Sequence, residues 1–379
     1  MLPFARMVQY GNTIVVKNIV DMQVSRSHSL VLESTGNLYG RGTNTNNILN
    51  NTGLSTTANF VLVDTGVTVM HCLYNITLYV KNGVLYRIGG SPVWDNGGAV
   101  TSPTAITLPF PASNIKKIQG VGNSSLMLLL NDGTIYFRGS GTNGRFGNAS
   151  TGTINTWTLS SMNNVKDMFH TYTGVEGSSA FSIVLKNDGT VWGCGSVALN
   201  TTVNCFRFGT YLSTTSWFQR TVSSNITAIS SGSAGSFMAL DSTGNLYADG
   251  NTNAEFTGTL AAPLYANTLM ASNVTLFGVN YESSYYVQQS TPNVLNLGGR
   301  NLNYTSSFSS VGSYIERHNY TLPYSVSKIF TPSIDSTTSL QYILLNNSNN
   351  IVQGGNSTAY QLGVNTGKIN MQLSVITLP

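Results

Sequence analysis

Short runs of alternating apolar and polar residues recur along the whole chain, and each run ends at a turn-forming segment. Seven copies share one order: an alternating run, a turn, a short run with an aromatic or aliphatic pair, and a glycine. Alternation with a period of two is typical of a strand that buries one face. The seven copies begin at His28, Ile76, Ser125, Phe181, Ser236, Ser284 and Gln341. The pattern therefore predicts seven related β units.

The turn of each unit is marked by its residue types. Asn82-Gly83, Asp132-Gly133 and Asp188-Gly189 predict two-residue hairpins, because such turns need positive φ angles. The sixth and seventh copies have Pro292-Asn293 and Ser348-Asn349 at this place, and we expect wider hairpins there. The turns lie about 50 residues apart, which is the period of a four-stranded propeller blade.

Two further runs complete each unit. One precedes the hairpin, as in VTVMHC from Val67, IKKIQG from Ile115 and VKDMFH from Val165. Another follows it across a polar loop, as in FVLVDT from Phe60. Four strands repeated seven times predict an all-β fold, a seven-bladed β-propeller with four-stranded blades. We expect a single domain over residues 1–379, closed into a ring by the N-terminal run TIVVKN or the C-terminal run QLSVITLP.

The repeat resembles that of the regulator of chromosome condensation (RCC1) family of seven-bladed propellers. His28-Ser29, Asp132-Gly133, Asp188-Gly189, Val191-Trp192-Gly193 and Gln361-Leu362-Gly363 stand at the places of that family's motif. The resemblance covers nearly the whole chain in pattern and implies the propeller fold. Only one copy keeps the histidine and only one the Gln-Leu-Gly, so it does not imply the exchange-factor activity of the family.

Composition narrows the possible partners. Only 8% of the 379 residues are charged, against roughly 25% in ordinary domains, and the net charge is +4. The longest basic run is Lys116-Lys117, so nucleic acid is not the expected partner. We also expect no membrane insertion, because no apolar run approaches the roughly 20 residues of a membrane-spanning helix, and no secretory leader, because residues 1–11 have no apolar core. Three cysteines, at positions 72, 194 and 205, form no metal-binding or disulfide framework.

Candidate chemistry is sparse. Residues 139–144 fit G-x-G-x-x-G, but a dinucleotide site needs a following helix, and none is predicted. His71 and His170 occupy the same strand type and are candidates to face the axial channel, whereas His28 is expected in the core. Loop carboxylates such as Asp95 and Asp335 show no reason to pair as an acid and a base. We therefore predict no catalytic residue, no cofactor and no metal site.

Aromatic residues in loops are the one enrichment that favours binding, since interfaces are rich in Tyr, Trp and Phe. Filling the wedges between blades is an equally good explanation of the same residues. The candidate binding-face aromatics are Trp94, Phe146, Trp157, Phe208, Tyr211, Trp217, Tyr281, Tyr304 and Tyr360.

A propeller with few charges offers surfaces rather than reactions, so the leading hypothesis is a non-enzymatic structural or interaction protein. Its uncharged polar composition favours a component of a bacteriophage virion, such as a tail, collar, fibre or decoration protein. The expected partners are other virion proteins or a host-surface receptor or glycan, within a larger assembly. One alternative is a cytoplasmic RCC1-like module that regulates a GTPase or inhibits an enzyme. Another is a propeller that binds or degrades glycans.

Overall fold

The computed structural model describes most of the chain. The described residues are 18–95, 97–172, 180–195, 198–200, 203–204, 214–220, 225–232, 237–250, 264–279, 283–300, 314–330, 341–346, 350–357, 367–375 and 378–379. They form thirty β-strands and four single-turn 3-10 helices.

The first three antiparallel sheets each take four consecutive strands. Sheet 1 contains β1 (Ile19–Val24), β2 (His28–Glu33), β3 (Leu38–Thr43) and β4 (Thr56–Asp64). Sheet 2 contains β5 (Val67–Leu73), β6 (Ile76–Lys81), β7 (Val84–Gly89) and β8 (Val100–Ile106). Sheet 3 contains β9 (Ile115–Val121), β10 (Ser125–Leu130), β11 (Ile135–Ser140) and β12 (Thr153–Leu159). The 3-10 turns are Thr45–Asn47, Val93–Asp95, Ala112–Asn114 and Thr142–Gly144.

Sheet 4 departs from this regularity. It contains β13 (Val165–Tyr172), β14 (Ala180–Lys186), β15 (Val191–Gly195) and β18 (Thr214–Arg220). Between its third and fourth strands lie β16 (Ala198–Asn200) and β17 (Val203–Asn204), which pair only with each other. The last strand of this sheet is therefore separated from the other three by an inserted hairpin.

The remaining three sheets again take consecutive strands. Sheet 5 contains β19 (Ile226–Ser231), β20 (Phe237–Asp241), β21 (Leu246–Gly250) and β22 (Leu264–Ala271). Sheet 6 contains β23 (Val274–Val279), β24 (Ser283–Gln288), β25 (Thr291–Arg300) and β26 (Tyr314–Thr321). Sheet 7 contains β27 (Val326–Phe330), β28 (Gln341–Asn346), β29 (Asn350–Ser357) and β30 (Gly367–Val375).

The first strand of each sheet lies against the first strand of the next, and β1 contacts β27. These first strands, called the inner strands below, therefore surround the axis of a propeller. The start of each inner strand pairs with the end of the second strand, as Ile19 does with Glu33. The face at this end carries the turns between second and third strands and is called the turn face. The opposite face carries the loops between third and fourth strands and is called the loop face.

Apolar side chains fill the spaces between neighbouring sheets. One cluster packs Leu30 and Leu38 of sheet 1 against Met70 and Tyr79 of sheet 2. The cluster between sheets 7 and 1 joins Ile351 to Ile19, Met22 and Tyr39, among others. Burial of these contacts, at roughly 25 cal/mol for each Å² of apolar area, is the main attraction between sheets.

The predicted seven-bladed propeller is wrong in its number of regular blades, which is six, and in its closure. Six sheets are regular blades of four consecutive strands, whereas sheet 4 is interrupted by the β16–β17 hairpin. No sheet combines strands from both ends of the described chain: β1 opens its own sheet and β30 completes its own. The reason is that each unit supplies its own inner strand, including Ile19–Val24 in the first. The run TIVVKN lies almost wholly outside the described residues, and the domain assignment stays a prediction.

The structure confirms one of the predicted hairpin turns and contradicts another. Lys81 pairs with Val84, and Asn82 and Gly83 both have positive φ angles, so the two-residue turn is confirmed there. At Asp132-Gly133 only the glycine has a positive φ, and Asp132 instead accepts hydrogen bonds from the Thr134 N–H (2.9 Å) and hydroxyl (2.7 Å). In the sixth copy the expected wide turn is wrong, because Gln288 pairs with Thr291 across two residues. Ser348-Asn349 lies outside the described residues.

Candidate functional site

The inner strands share a β-bulge at their second residue. In all seven, the register with the neighbouring strand shifts between the first and third residues, as between Ile19 and Asp21. A bulged residue leaves the hydrogen-bond ladder, and its side chain is redirected. The bulged Lys116 and Lys166 are accordingly exposed, as is Val20 at 41%. Two consecutive side chains of each inner strand can therefore reach the axis at the turn face.

Every lysine and carboxylate of the inner strands occupies these two positions. They are Asp21 on β1, Lys116 and Lys117 on β9, Lys166 and Asp167 on β13, and Lys328 on β27. We call these six residues the axial mouth. Four lysines and two aspartates give a net charge of +2, which is half of the +4 of the whole chain. In a protein with 8% charged residues this is a pronounced local concentration.

The lysines of the axial mouth also connect neighbouring sheets. Lys116 Nζ donates to the carbonyl of Lys166 at 2.7 Å, and Lys166 Nζ donates to the carbonyl of Thr227 at 2.8 Å. Lys117 Nζ lies 2.7 Å from Asp167 Oδ1 and 4.0 Å from the centroid of the Phe169 ring. These contacts hold the lysines in place while leaving Lys116 and Lys166 exposed.

A hydrogen-bonded chain lies beside the mouth. The Nδ1–H of His71 donates to Gln23 Oε1 at 2.6 Å, and Gln23 Nε2 donates to Asp21 Oδ2 at 3.3 Å. This order of donors makes the Nε2 of His71 the unprotonated ring nitrogen. It has no hydrogen-bond partner among the described residues, although the side chain is fully buried. His71 is therefore fixed by sheet 1 rather than by a ligand set.

Burial is the main cause of the pKa shifts of Asp21 and His71. It raises the pKa of Asp21 to about 6, against the opposing influence of the Gln23 amide, the Met22 N–H, Lys117 and Lys328. It lowers the pKa of His71 to about 3, and the positive charge of Lys117 acts in the same direction. At neutral pH His71 is consequently uncharged and Asp21 largely ionised. Protonation of Asp21 in mild acid makes the mouth more positive.

The other two described histidine side chains serve packing. His28 is fully buried and contacts the hydroxyls of Ser25 (3.0 Å) and Thr77 (3.0 Å), which joins sheets 1 and 2. His170 lies between the hydroxyls of Ser125 (2.8 Å) and Ser182 (2.7 Å). Burial lowers the pKa of His28 to about 3 and that of His170 well below its ordinary value. Within the described part of the chain, no three His, Cys, Asp or Glu residues are placed to hold a metal ion.

The described candidate aromatics do not form a single binding face. Trp94 and Phe146 lie in the interior, with exposed fractions of 1% and 0%. Trp157 and Trp217 are partly exposed, and their indole N–H groups donate to Thr107 O (3.1 Å) and Ser160 Oγ (3.2 Å). The other five lie outside the described residues: Phe208, Tyr211, Tyr281, Tyr304 and Tyr360. A binding role for the set stays a prediction.

Two other candidate sites have structural explanations. Thr142–Gly144, in the G-x-G-x-x-G segment, forms one 3-10 turn followed by the loop to β12. Asp95 binds two guanidinium groups, Arg87 at 2.8 Å and Arg138 at 3.2 Å, and so belongs to an ion-pair cluster. No helix of the described chain has the length and apolarity needed to cross a membrane.

Comparison with known proteins supports the fold. No protein-family model and no curated protein sequence matches this chain. Human WBSCR16 is similar in structure, with a TM-score of 0.64 and 12% identity over 83% of this chain and 85% of that one. Prp20p from Saccharomyces cerevisiae, described with its binding to Gsp1p and histones, gives 0.63 and 14% over 80% and 77%. Yeast RCC1 (Prp20) bound by Kap60 gives 0.57 and 16% over 79% and 75%. The chain therefore shares the propeller fold of these proteins.

Proposed function

We propose that the chain is a non-enzymatic interaction propeller that receives an acidic segment of a partner protein at the axial mouth. The observation that carries this proposal is the convergence of Lys116, Lys117, Lys166 and Lys328 at one end of the axis. A local charge of +2 on an otherwise weakly charged surface favours an anionic partner through long-range attraction.

The arrangement suits a peptide better than a reaction. Asp167 is paired with Lys117, and Asp21 is held by Gln23, so neither carboxylate stands opposite a second one as glycoside hydrolysis requires. Backbone carbonyl groups of the inner strands accept hydrogen bonds from Lys116, Lys166 and Lys328. Prp20p, which shares the fold, has binding properties towards Gsp1p and histones, so a propeller of this shape can serve protein binding.

Peptide binding tests the proposal. A fluorescent glutamate-rich peptide titrated with the protein should bind, and the affinity should fall as salt rises. The double variant Lys116→Gln/Lys166→Gln should bind roughly tenfold more weakly, since each partly exposed ion pair contributes up to about 1 kcal/mol. Lys116→Arg/Lys166→Arg keeps the charge and should retain binding. Lys186→Gln, which removes a lysine of β14 outside the mouth, is the matched control.

Equal affinity of the parent and the double glutamine variant would refute the mouth as the binding site. Equal affinity for a lysine-rich peptide would refute the charge argument. Unfolding curves of all variants establish that lost binding does not reflect lost structure, because Lys116 and Lys166 also connect neighbouring inner strands.

A finer proposal places this interaction within an assembled virus particle, as a structural or receptor-contacting component. Its support is the composition, with 8% charged residues and a predominance of uncharged polar side chains. Mass spectrometry of purified particles tests it. Absence of the chain from particles, together with a soluble partner recovered from host extract, would instead favour a cytoplasmic interaction module.

A further inference from the structure

A pocket of about 270 Å³ opens on the loop face between sheets 1 and 2, at the opposite end of the molecule from the axial mouth. The turn after β1, the start of the loop after β3 and the turn after β5 form its walls. Its lining residues are Arg26, Ser27, Thr43, Thr45, Ile48, Tyr74 and Asn75.

The walls of the pocket are held rigidly. Ile48 is fully buried, and the hydroxyl of Ser27 donates to the carbonyl of Tyr74, which ties the two turns together. Asn75 accepts a hydrogen bond at Oδ1 from Asn123 Nδ2 at 2.9 Å. Its side chain crosses the backbone of Gly90 so closely that an added Cβ there would collide with the Asn75 amide. The glycine therefore permits the close approach that positions this amide.

The chemistry of the lining is one-sided. Arg26 is its single charged residue, and the guanidinium carbon lies 5.2 Å from the centroid of the Tyr74 ring. Contact with an aromatic ring restricts a guanidinium group, so less side-chain entropy is lost when that group binds a carboxylate. Thr43 and Thr45 add hydroxyl groups, Asn75 adds an amide, and the half-buried Tyr74 adds apolar surface.

We propose that this pocket binds a carboxylate carried on a short aliphatic stem, as in the side chain of glutamate. The cation and the threonine hydroxyl groups match the carboxylate, and the apolar part of Tyr74 matches the methylene groups. The volume lies just below the roughly 300 Å³ at which ordinary ligand pockets begin, which suits a ligand of amino-acid size. The carboxylate can belong to a free small molecule or to a glutamate side chain of a protein segment.

Saturation-transfer NMR and calorimetry with N-acetylglutamate test the site, with N-acetylglutamine as its uncharged isostere. The acid should bind with at least tenfold higher affinity than the amide. Arg26→Gln should abolish this preference, and Arg26→Lys should restore part of it, because lysine keeps the charge but loses the two-pronged geometry. Arg26 is exposed, so both variants should unfold at the parent temperature.

Two control variants separate this site from the axial mouth. Lys116→Gln/Lys166→Gln should leave binding of N-acetylglutamate unchanged, and Arg26→Gln should leave binding of the glutamate-rich peptide at the mouth unchanged. Stronger binding of a glutamate within a short peptide than of the free acid would indicate a protein segment as the ligand; equal binding would indicate a small molecule. Equal affinity for acid and amide, or undiminished binding by Arg26→Gln, would overturn the proposal.

Discussion

Replacement of Asp21 by asparagine should stabilise the protein, and the gain should grow with pH. Burial raises the pKa of this carboxyl from 3.8 to about 6, so the folded protein binds its proton more tightly than the unfolded chain does. Stability contributed by the bound proton is therefore lost as pH rises from about 4 to about 6. Asparagine keeps an oxygen to accept the hydrogen bond from Gln23 and has no charge to bury.

The size of the effect follows from the pKa. Each unit corresponds to about 1.4 kcal/mol, so the ionised carboxylate costs the folded state about 3 kcal/mol above pH 6. This value is an upper one, because the Asp21 side chain keeps some contact with solvent. Because the pKa differs between the folded and unfolded states, the difference in unfolding free energy between variant and parent should widen by about 2 kcal/mol from pH 4 to pH 8. For a chain of 379 residues, about 3 kcal/mol corresponds to a shift in melting temperature of about 4 °C.

Urea unfolding of parent and variant, measured in parallel from pH 4 to pH 8, is the assay. Comparing the two proteins at each pH cancels contributions from the buried histidines. Asp132→Asn is a control of opposite sign, because hydrogen bonds from Thr134 hold the pKa of Asp132 below its ordinary value. A difference for Asp21→Asn that is constant with pH, or that turns against the variant at pH 8, would refute the assigned burial cost.

Three further effects should be measurable. Gly133→Ala should lower the free energy of unfolding by about 1–3 kcal/mol more than Gly83→Ala does. Both glycines have positive φ angles, but an added Cβ would lie 2.8 Å from Val165 N at Gly133 and in open space at Gly83. Arg145→Met should cost about 3–5 kcal/mol in chemical unfolding, because Arg145 is 1% exposed and donates to Thr142 O and two serine hydroxyls; a cost below 1 kcal/mol would contradict this reasoning. Between pH 6.5 and 5, thermal unfolding should show a loss of about 2 kcal/mol in stability for each of His28 and His71. The reason is that each histidine has a folded pKa of about 3, so the unfolded chain takes up protons first. Replacement of either histidine by glutamine should reduce the dependence of the unfolding free energy on pH.

The propeller could be predicted from sequence because its information is local. Alternation, turn residues and repeat spacing lie within each unit, and the four strands of a regular blade are consecutive. The insertion in sheet 4 is not among the predictions, because β16 and β17 have only three and two residues, too few to show an alternating pattern. The prediction that one terminus completes a blade begun at the other is wrong, because Ile19–Val24 is the inner strand of the first unit and no strand was predicted there.

The axial mouth was also overlooked, although the sequence contains its signal. The inner strands place apolar residues three apart, as in Ile115 and Ile118 or Val165 and Met168, which breaks the period of two. Such spacing indicates a bulge, and the two residues between are those that reach the axis. Which charges converge there depends on the order of the blades around the ring, and no single repeat contains that information.

Because every sheet is local in sequence, the ring is joined between sheets 7 and 1 without an exchanged strand. Side chains make that joint: Arg41 donates to Gln353 at 2.8 Å, and Lys328 donates to the carbonyl of Ile19 at 3.3 Å. The chain can therefore begin at a different blade while the blades keep the same cyclic order around the axis. A circular permutant opened in the Thr65-Gly66 connection should keep every blade intact. The position of the chain termini can therefore be moved from one junction between blades to another without dividing a sheet.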